Sequence, residues 1–167
     1  MRRPAVPLIK NGQWAEDHFV EVADDTPMPL NGTIVSLPRF QSERATLLAR
    51  NSPLGLRLKS AESPEGLGED VHRLAVVVLE FPVFRDGRAF SWARLLRTRM
   101  NYRGEIRAAG AFLYDQIAFA VRVGFDAFEV PERFTLAQFN RTRSEMSYVY
   151  QPSADRRTTI RELRAGR

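Results

Sequence analysis

The chemistry this sequence puts forward most insistently is that of arginine set among aromatics and glycines. It is concentrated in FPVFRDGRAFSWARLLRTRMNYRGEIRAAG, residues 81–110, directly after the apolar run RLAVVVLEF. A guanidinium is planar, permanently charged and forked, so it matches carboxylate, phosphate and sulfur oxyanions. Arg88 follows Asp86 and Gly87 between an expected strand and an expected helix. A turn accounts for Asp86, which can bond the backbone two residues on, and for Gly87, which can supply a positive φ. A turn needs no arginine, however, and Arg88 beside a helix N-terminus is placed to meet an anion. Arg94 and Arg97 are three apart on one helix face, which reads either as a solvated face with acidic partners or as further anion contacts. Arg107 ends the expected strand GEIRA and precedes small residues that let a ligand come close, so it is the strongest candidate for an anion contact. Glu105, two positions earlier on the same strand face, is the competing reading, because it could hold Arg107 in a buried pair.

Carboxylates are the other half of such a site. Asp115 precedes Gln116 in the otherwise apolar FLYDQIAFAV. A buried carboxyl there would need Arg107 or Arg88 as a partner, and burial would raise its pKa toward general acid–base use. Glu129 follows Phe128 at the end of another expected strand, as a general base or as half of a structural ion pair. Asp86, Gly87, Glu105 and Gln116 are the residues expected to orient these groups. Ser91 reads as a helix cap rather than a nucleophile, since the two histidines, His18 and His72, lie in an extension and on a polar helix, neither placed as a triad base. Their spacing does not suit metal binding either. The absence of cysteine excludes disulfides, thiolate metal sites and cysteine-ligated clusters. Neither GxGxxG nor GxxxxGK occurs, so no nucleotide cofactor has a fingerprint and the cofactor is left unassigned.

The elements that must position these residues alternate. NGTIVSL, LGLRL, RLAVVVLEF, GEIRA and DAFEV read as strands, with segments of helical spacing between them: FQSERATLLARN, a weaker SPEGLGEDVHRL, SWARLLR, AFLYDQIAFAVRVGF closed by Gly124, and PERFTLAQFNRTRSEMSYV opened by Pro131. RLAVVVLEF does not alternate, as expected of a strand covered on both faces. About five βα units predict an α/β fold with a parallel sheet, either open and doubly wound or part of a barrel. Both architectures place ligands outside the carboxyl ends of the strands, where Arg39, Glu80, Asp86, Arg88, Arg107 and Glu129 would converge. The aromatics Phe81, Phe84, Phe90, Trp92, Phe112, Phe119, Phe125 and Phe128 are expected in the core.

Residues 1–30 read as an extension with a hairpin at Asn11-Gly12, residues 31–152 as one α/β domain and residues 153–167 as a basic tail. Length and composition, at 167 residues and 44% hydrophobic, suit a single globular domain. Of the 25 basic residues only Lys10 and Lys59 are lysine, and the whole net charge of +5 falls in residues 133–167. The tail reads as a solvated helix, with nucleic-acid contact disfavoured. No stretch approaches the ~20 apolar residues of a membrane span, so a cytoplasmic location is expected.

The run F-P-x-F-x-D-G-R-x-F-S-x-A-R-L-L-R, followed by Y-x-G-E-I-R-A-x-G, by D-Q and by G-F-D-A-F-E, resembles a bacterial family of unknown function described as probable oxidoreductases of sulfite reduction. Members are commonly encoded beside the sulfite reductase haemoprotein. The resemblance is dense from Phe81 to Glu129 and looser upstream through IVSLPRF and LGLRL. Such members usually carry a cysteine at the position of Val123 and an aspartate at that of Ala111, so chemistry that used either is closed to this chain. The resemblance implies a role in assimilatory sulfite reduction, with the reductase as suspected partner. Joined to the residues, it gives two expectations. One is an accessory protein that meets the reductase or an anionic ligand through an arginine-rich strand-end face of Arg88, Arg94, Arg97 and Arg107. The other is a free-standing enzyme acting on a small anionic sulfur compound.

Overall fold

The computed structural model describes residues 6–166. Eight strands form one sheet: β1 (Leu8–Lys10), β2 (Gln13–Ala15), β3 (Phe19–Glu21), β4 (Gly32–Ser36), β5 (Leu54–Leu58), β6 (Val76–Phe81), β7 (Glu105–Gly110) and β8 (Ala127–Glu129). Their spatial order is β2-β1-β8-β7-β6-β5-β4-β3. From β3 to β8 every neighbouring pair is parallel and follows chain order. The five expected strands are β4 to β8, and the α/β class holds. The sheet is nevertheless mixed, because the β1–β2 hairpin joins it antiparallel along β8.

That hairpin corrects the picture of residues 1–30 as a separate extension. Asn11 and Gly12 take φ of 53° and 83°, the two positive values that a two-residue turn between twisted strands requires. Beyond the hairpin only Glu16, Asp17 and His18 separate β2 from β3, although these are the two outermost strands of the sheet. From Ala15 to Phe19 the chain can reach at most about 14 Å, whereas eight strands laid flat would put their outer members roughly 34 Å apart. The sheet is therefore curled into a half-barrel, with the residue 16–18 link spanning its opening.

Sequential parallel strands joined by right-handed crossovers carry their connections on one face. These are α1 (Leu37–Ser42), α2 (Arg44–Leu48), a 3₁₀ stretch at Pro64–Arg73, α3 (Arg88–Thr98), a 3₁₀ turn at Tyr114–Gln116 continuing into α4 (Ile117–Val123), and, after β8, α5 (Leu136–Arg143). Alternate strand residues on that face, including Val35, Leu56, Val77, Leu79, Ile106 and Phe128, pack with Phe40, Leu47, Ala93, Leu96 and Ile117 into the main core. The other alternates, Ile34, Val76, Val78 and Ala109, make a separate cluster with Phe19 on the concave face. This two-sided burial explains why the Val76–Phe81 strand lacks alternation.

Two helices begin later than their sequence suggests. The segment from Pro131 becomes helical only at Leu136, where the Thr135 side chain accepts a hydrogen bond from the Gln138 amide at 3.2 Å and caps the first turn. The FLYDQIAFAV segment starts as the 3₁₀ turn and leaves Asp115 exposed. Residues after 152 fold back instead of trailing: Val149 and Thr159 form a parallel bridge, Arg122 pairs with Asp155 at 3.2 Å, and α6 (Ile160–Ala165) follows. Among the described residues no helix is long and apolar enough to cross a membrane.

Candidate functional site

Two regions gather the residues that could do chemistry: the concave face of the half-barrel and the rim formed by the loops after β6 and β7. On the concave face Arg107 is 1% exposed. Its Nη1 and Nη2 donate to Asp17 at 2.7 and 3.0 Å, and its Nε donates to Glu105 at 2.8 Å. Glu129 lies 3.6 Å from the same guanidinium, and the Phe19 ring lies under it at 5.9 Å. Glu105 is also held by Lys10 at 2.7 Å. Glu129 in turn accepts from Arg57 at 3.2 and 3.3 Å, and Glu21 lies 2.8 Å from Arg57 Nε. Ion pairs thus run without a break from Glu21 through Arg57, Glu129, Arg107 and Glu105 to Lys10. Burial alone would lower the pKa of Arg107, but the bonds and charges of Asp17 and Glu105 outweigh it and leave the guanidinium more firmly protonated than usual. Arg57 Nε is held by its ion pair with Glu21 alone, without an aligned hydrogen bond among the described residues.

The register explains how these groups meet. Arg107 continues to pair with β6 opposite Val78, and Ala108 and Ala109 extend the strand to Gly110. Arg107 is therefore a mid-strand residue rather than a strand end. The strand stops where Gly110 takes φ 97° against the Phe81 carbonyl, which stands where a side chain would go.

At the rim the 82–87 loop and the 111–116 loop are tied together by Gln116, whose amide nitrogen donates to the Phe84 carbonyl while its oxygen accepts from the Leu113 amide, both at 2.9 Å. Around this tie Val83, Phe84, Leu113 and Phe119 stand 42–52% exposed. Phe84 and Phe119 are thus exceptions to the expected aromatic core, which Phe81, Phe90, Phe112, Phe125 and Phe128 do form by edge and tilted contacts. Arg85 lies over the Phe84 ring at 5.7 Å. Beside it, Arg88 Nε and Nη2 clamp the Asp86 carboxylate at 2.9 and 2.7 Å, and Nη2 also reaches the Ser60 hydroxyl at 3.0 Å. The Arg88 bonds, helped by Ser60, hold the Asp86 carboxyl well below the usual carboxylate range. The anion that Arg88 was expected to meet is the protein's own, and its amide also donates to Asp86 across the expected turn. Gly87 supplies no positive φ, sitting at −85° as the cap of α3, and Ser91 lies inside the helix.

The four arginines do not share a face. Arg94 is exposed on α3. Arg97 turns to the opposite end of the sheet, where it holds the carbonyls of Tyr102, Gly104 and Gly124 and the Asp126 carboxylate at 2.7–3.0 Å. Burial lowers the pKa of Arg97 and raises that of Asp126, each opposed by the other's charge. Arg39 is buried in α1 with the Ala23 carbonyl and Glu43, and Asp115 meets neither Arg107 nor Arg88. Of the expected partners, Glu105 and Glu129 do meet Arg107. Sequence reasoning passed over Lys10, Asp17, Glu21 and Arg57. The one available signal was Arg57 itself, a charge on the polar alternate of LGLRL, which faces the closed interior instead of solvent.

A family model described as "Bacterial protein of unknown function (DUF934)" matches residues 55–161, well over half of the chain, and the chain belongs to that family. No curated protein and no solved structure matches it.

Proposed function

We propose that this member of a bacterial family of unknown function is an accessory protein of sulfite reduction, which docks on the sulfite reductase haemoprotein through the rim after β6 and β7. The observation that carries the reading is the apolar rim. Val83, Phe84 and Leu113 are half exposed on the two loops that Gln116 ties together, with Phe119 half exposed on the adjoining α4, and grouped exposed apolar side chains rimmed by charge mark interaction sites. Arg85 supplies a positive border, suited to an acidic margin on the partner, whereas the charge of Arg88 is met by Asp86. The partner's identity comes from the resemblance in the 81–129 motif, which spans both rim loops. The reading replaces the expected arginine cluster with an apolar centre bordered by Arg85 and the Arg88–Asp86 pair. Arg94, Arg97 and Arg107 drop out of the docking face, since they lie on an exposed helix surface, at the far end of the sheet and in the interior.

Biolayer interferometry of the immobilised chain against the sulfite reductase haemoprotein at low salt tests this. Saturable binding is expected, weakened at least tenfold by Phe84→Asp, which leaves the fold intact because the ring is outside the core. Absence of binding by wild type overturns the reading.

One observation favours a second reading, an enzyme acting on a small anionic sulfur compound. Arg57, whose Nε makes no aligned hydrogen bond, stands beside Glu129 and sets a cation and a carboxylate together on the concave face, with Arg57 in the anion-binding role first expected of Arg107. Sulfite that raises the melting temperature of wild type but not of Arg57→Gln would favour it.

A further inference from the structure

On the outer side of the fold, away from both regions above, a cavity of about 690 Å³ lies between α4, α5 and the segment after residue 143. Its wall carries Arg122, Arg143 and Arg157 against a single carboxylate, Asp155, with Val121 and Met146 as apolar lining. Each arginine is fixed from behind. Arg122 donates to Asp155 and to the Gln151 carbonyl, Arg143 to the Asn11 carbonyl, and Arg157 through Nη2 to the carbonyls of Met146 and Ser147.

These tethers leave donors over. Nη1 of Arg122, Nε and Nη2 of Arg143, and Nε and Nη1 of Arg157 make no hydrogen bond among the described residues. Among the described residues the only buried side-chain nitrogen or oxygen without a hydrogen bond is Arg57 Nε, so each of these unbonded donors keeps some exposure. Backbone carbonyls could be held as well by neutral amides. Three guanidiniums against one carboxylate leave about two positive charges uncompensated, on groups whose orientation is already set. Orienting fixed guanidiniums in advance removes part of the cost of binding an oxyanion.

From this geometry we infer that the cavity is a binding site for a phosphate-bearing small molecule. The phosphate is bound by Arg122, Arg143 and Arg157, and an organic portion lies against Val121 and Met146. The volume is several times that of a phosphate group and falls within the range of small-ligand sites, so the phosphate is one part of a larger ligand. The site shares no residue with the rim or the concave face.

The test is isothermal titration calorimetry of the full chain with adenosine 5′-monophosphate, inorganic pyrophosphate, sulfate and adenosine. Saturable binding of the two phosphate compounds, with none of adenosine, is the expected result. Arg143→Gln should weaken it about tenfold, the scale of one charged hydrogen bond. Ser147→Glu serves as the variant that keeps the fold, because Ser147 is exposed at the cavity and its side chain makes no hydrogen bond. It should weaken binding at least as much while leaving the ligand-free melting temperature unchanged. Absence of saturable binding by either phosphate compound, binding of sulfate alone, or equal binding by Ser147→Glu would each overturn the assignment.

Discussion

Arg107 and Arg88 make almost the same contact, a fork of guanidinium donors on an aspartate, in opposite surroundings. Arg107 is 1% exposed and touches Asp17, Glu105 and Glu129 on the concave face, whereas Arg88 is 53% exposed and clamps Asp86 at the rim. At the rim water reaches the half-exposed Arg88 directly. In the interior Arg107, Glu105 and Glu129 are largely shut off from water and only the Asp17 end of the cluster is partly exposed, so each buried charge depends on its partners. Arginine in this sequence therefore serves two purposes that residue type does not distinguish: closing the barrel interior and bordering an exposed surface.

The comparison can be broken most forcefully at Arg107. Arg107→Ala leaves Asp17, Glu105 and Glu129 without their shared cation and should cost about 3–5 kcal/mol of stability, measured by urea denaturation. A loss below about 1 kcal/mol would mean that the interior behaves as the rim does. Next comes Glu129→Gln, which keeps the shape but removes the charge that Arg57 and Arg107 share. A loss of roughly 1–3 kcal/mol is expected, and double-mutant cycles with Arg57→Met should show non-additivity, since both residues belong to one network. The smallest effect belongs to the rim and is seen through pH. Asp86 has its folded pKa depressed by Arg88 and Ser60, so its contribution is complete above the ordinary carboxylate pKa of about 4 and is lost as pH falls from there through the folded value. The melting temperature of wild type should exceed that of Asp86→Asn near pH 6, and the gap should close as the pH drops below about 4. A gap that widened on acidification would contradict the clamp.

The strands that dominate the fold were legible because they are long, β-branched and flanked by turn residues, as Val76–Phe81 is. Of the N-terminal segment only the hairpin turn at Asn11-Gly12 was. PheValGlu, residues 19–21, is too short to display a period, and the hairpin joins the sheet only through β8, which lies more than a hundred residues on. The same distance hid the site. Glu105 could be assigned to Arg107 because residues two apart share a strand face, but Asp17 lies 90 positions upstream and meets Arg107 only because the sheet curls. Asp115 misled for the opposite reason. Its apolar neighbours suggested burial, but the 3₁₀ turn before Ile117 rotates it outward. Phe84 and Phe119 read as core residues by composition alone, and nothing local marks them as a surface.

The pairing of Leu8 with Glu129 also sets an order of events during synthesis. The hairpin containing Leu8 leaves the ribosome early, yet the strand it must join follows some 120 residues later. At about 5–20 residues per second that is a delay of roughly 6 to 24 seconds, during which the hairpin has no edge to bind, while Asp17 waits 90 residues for Arg107. The hairpin can be fastened only after every other strand of the sheet has been made, and with it the interior is sealed.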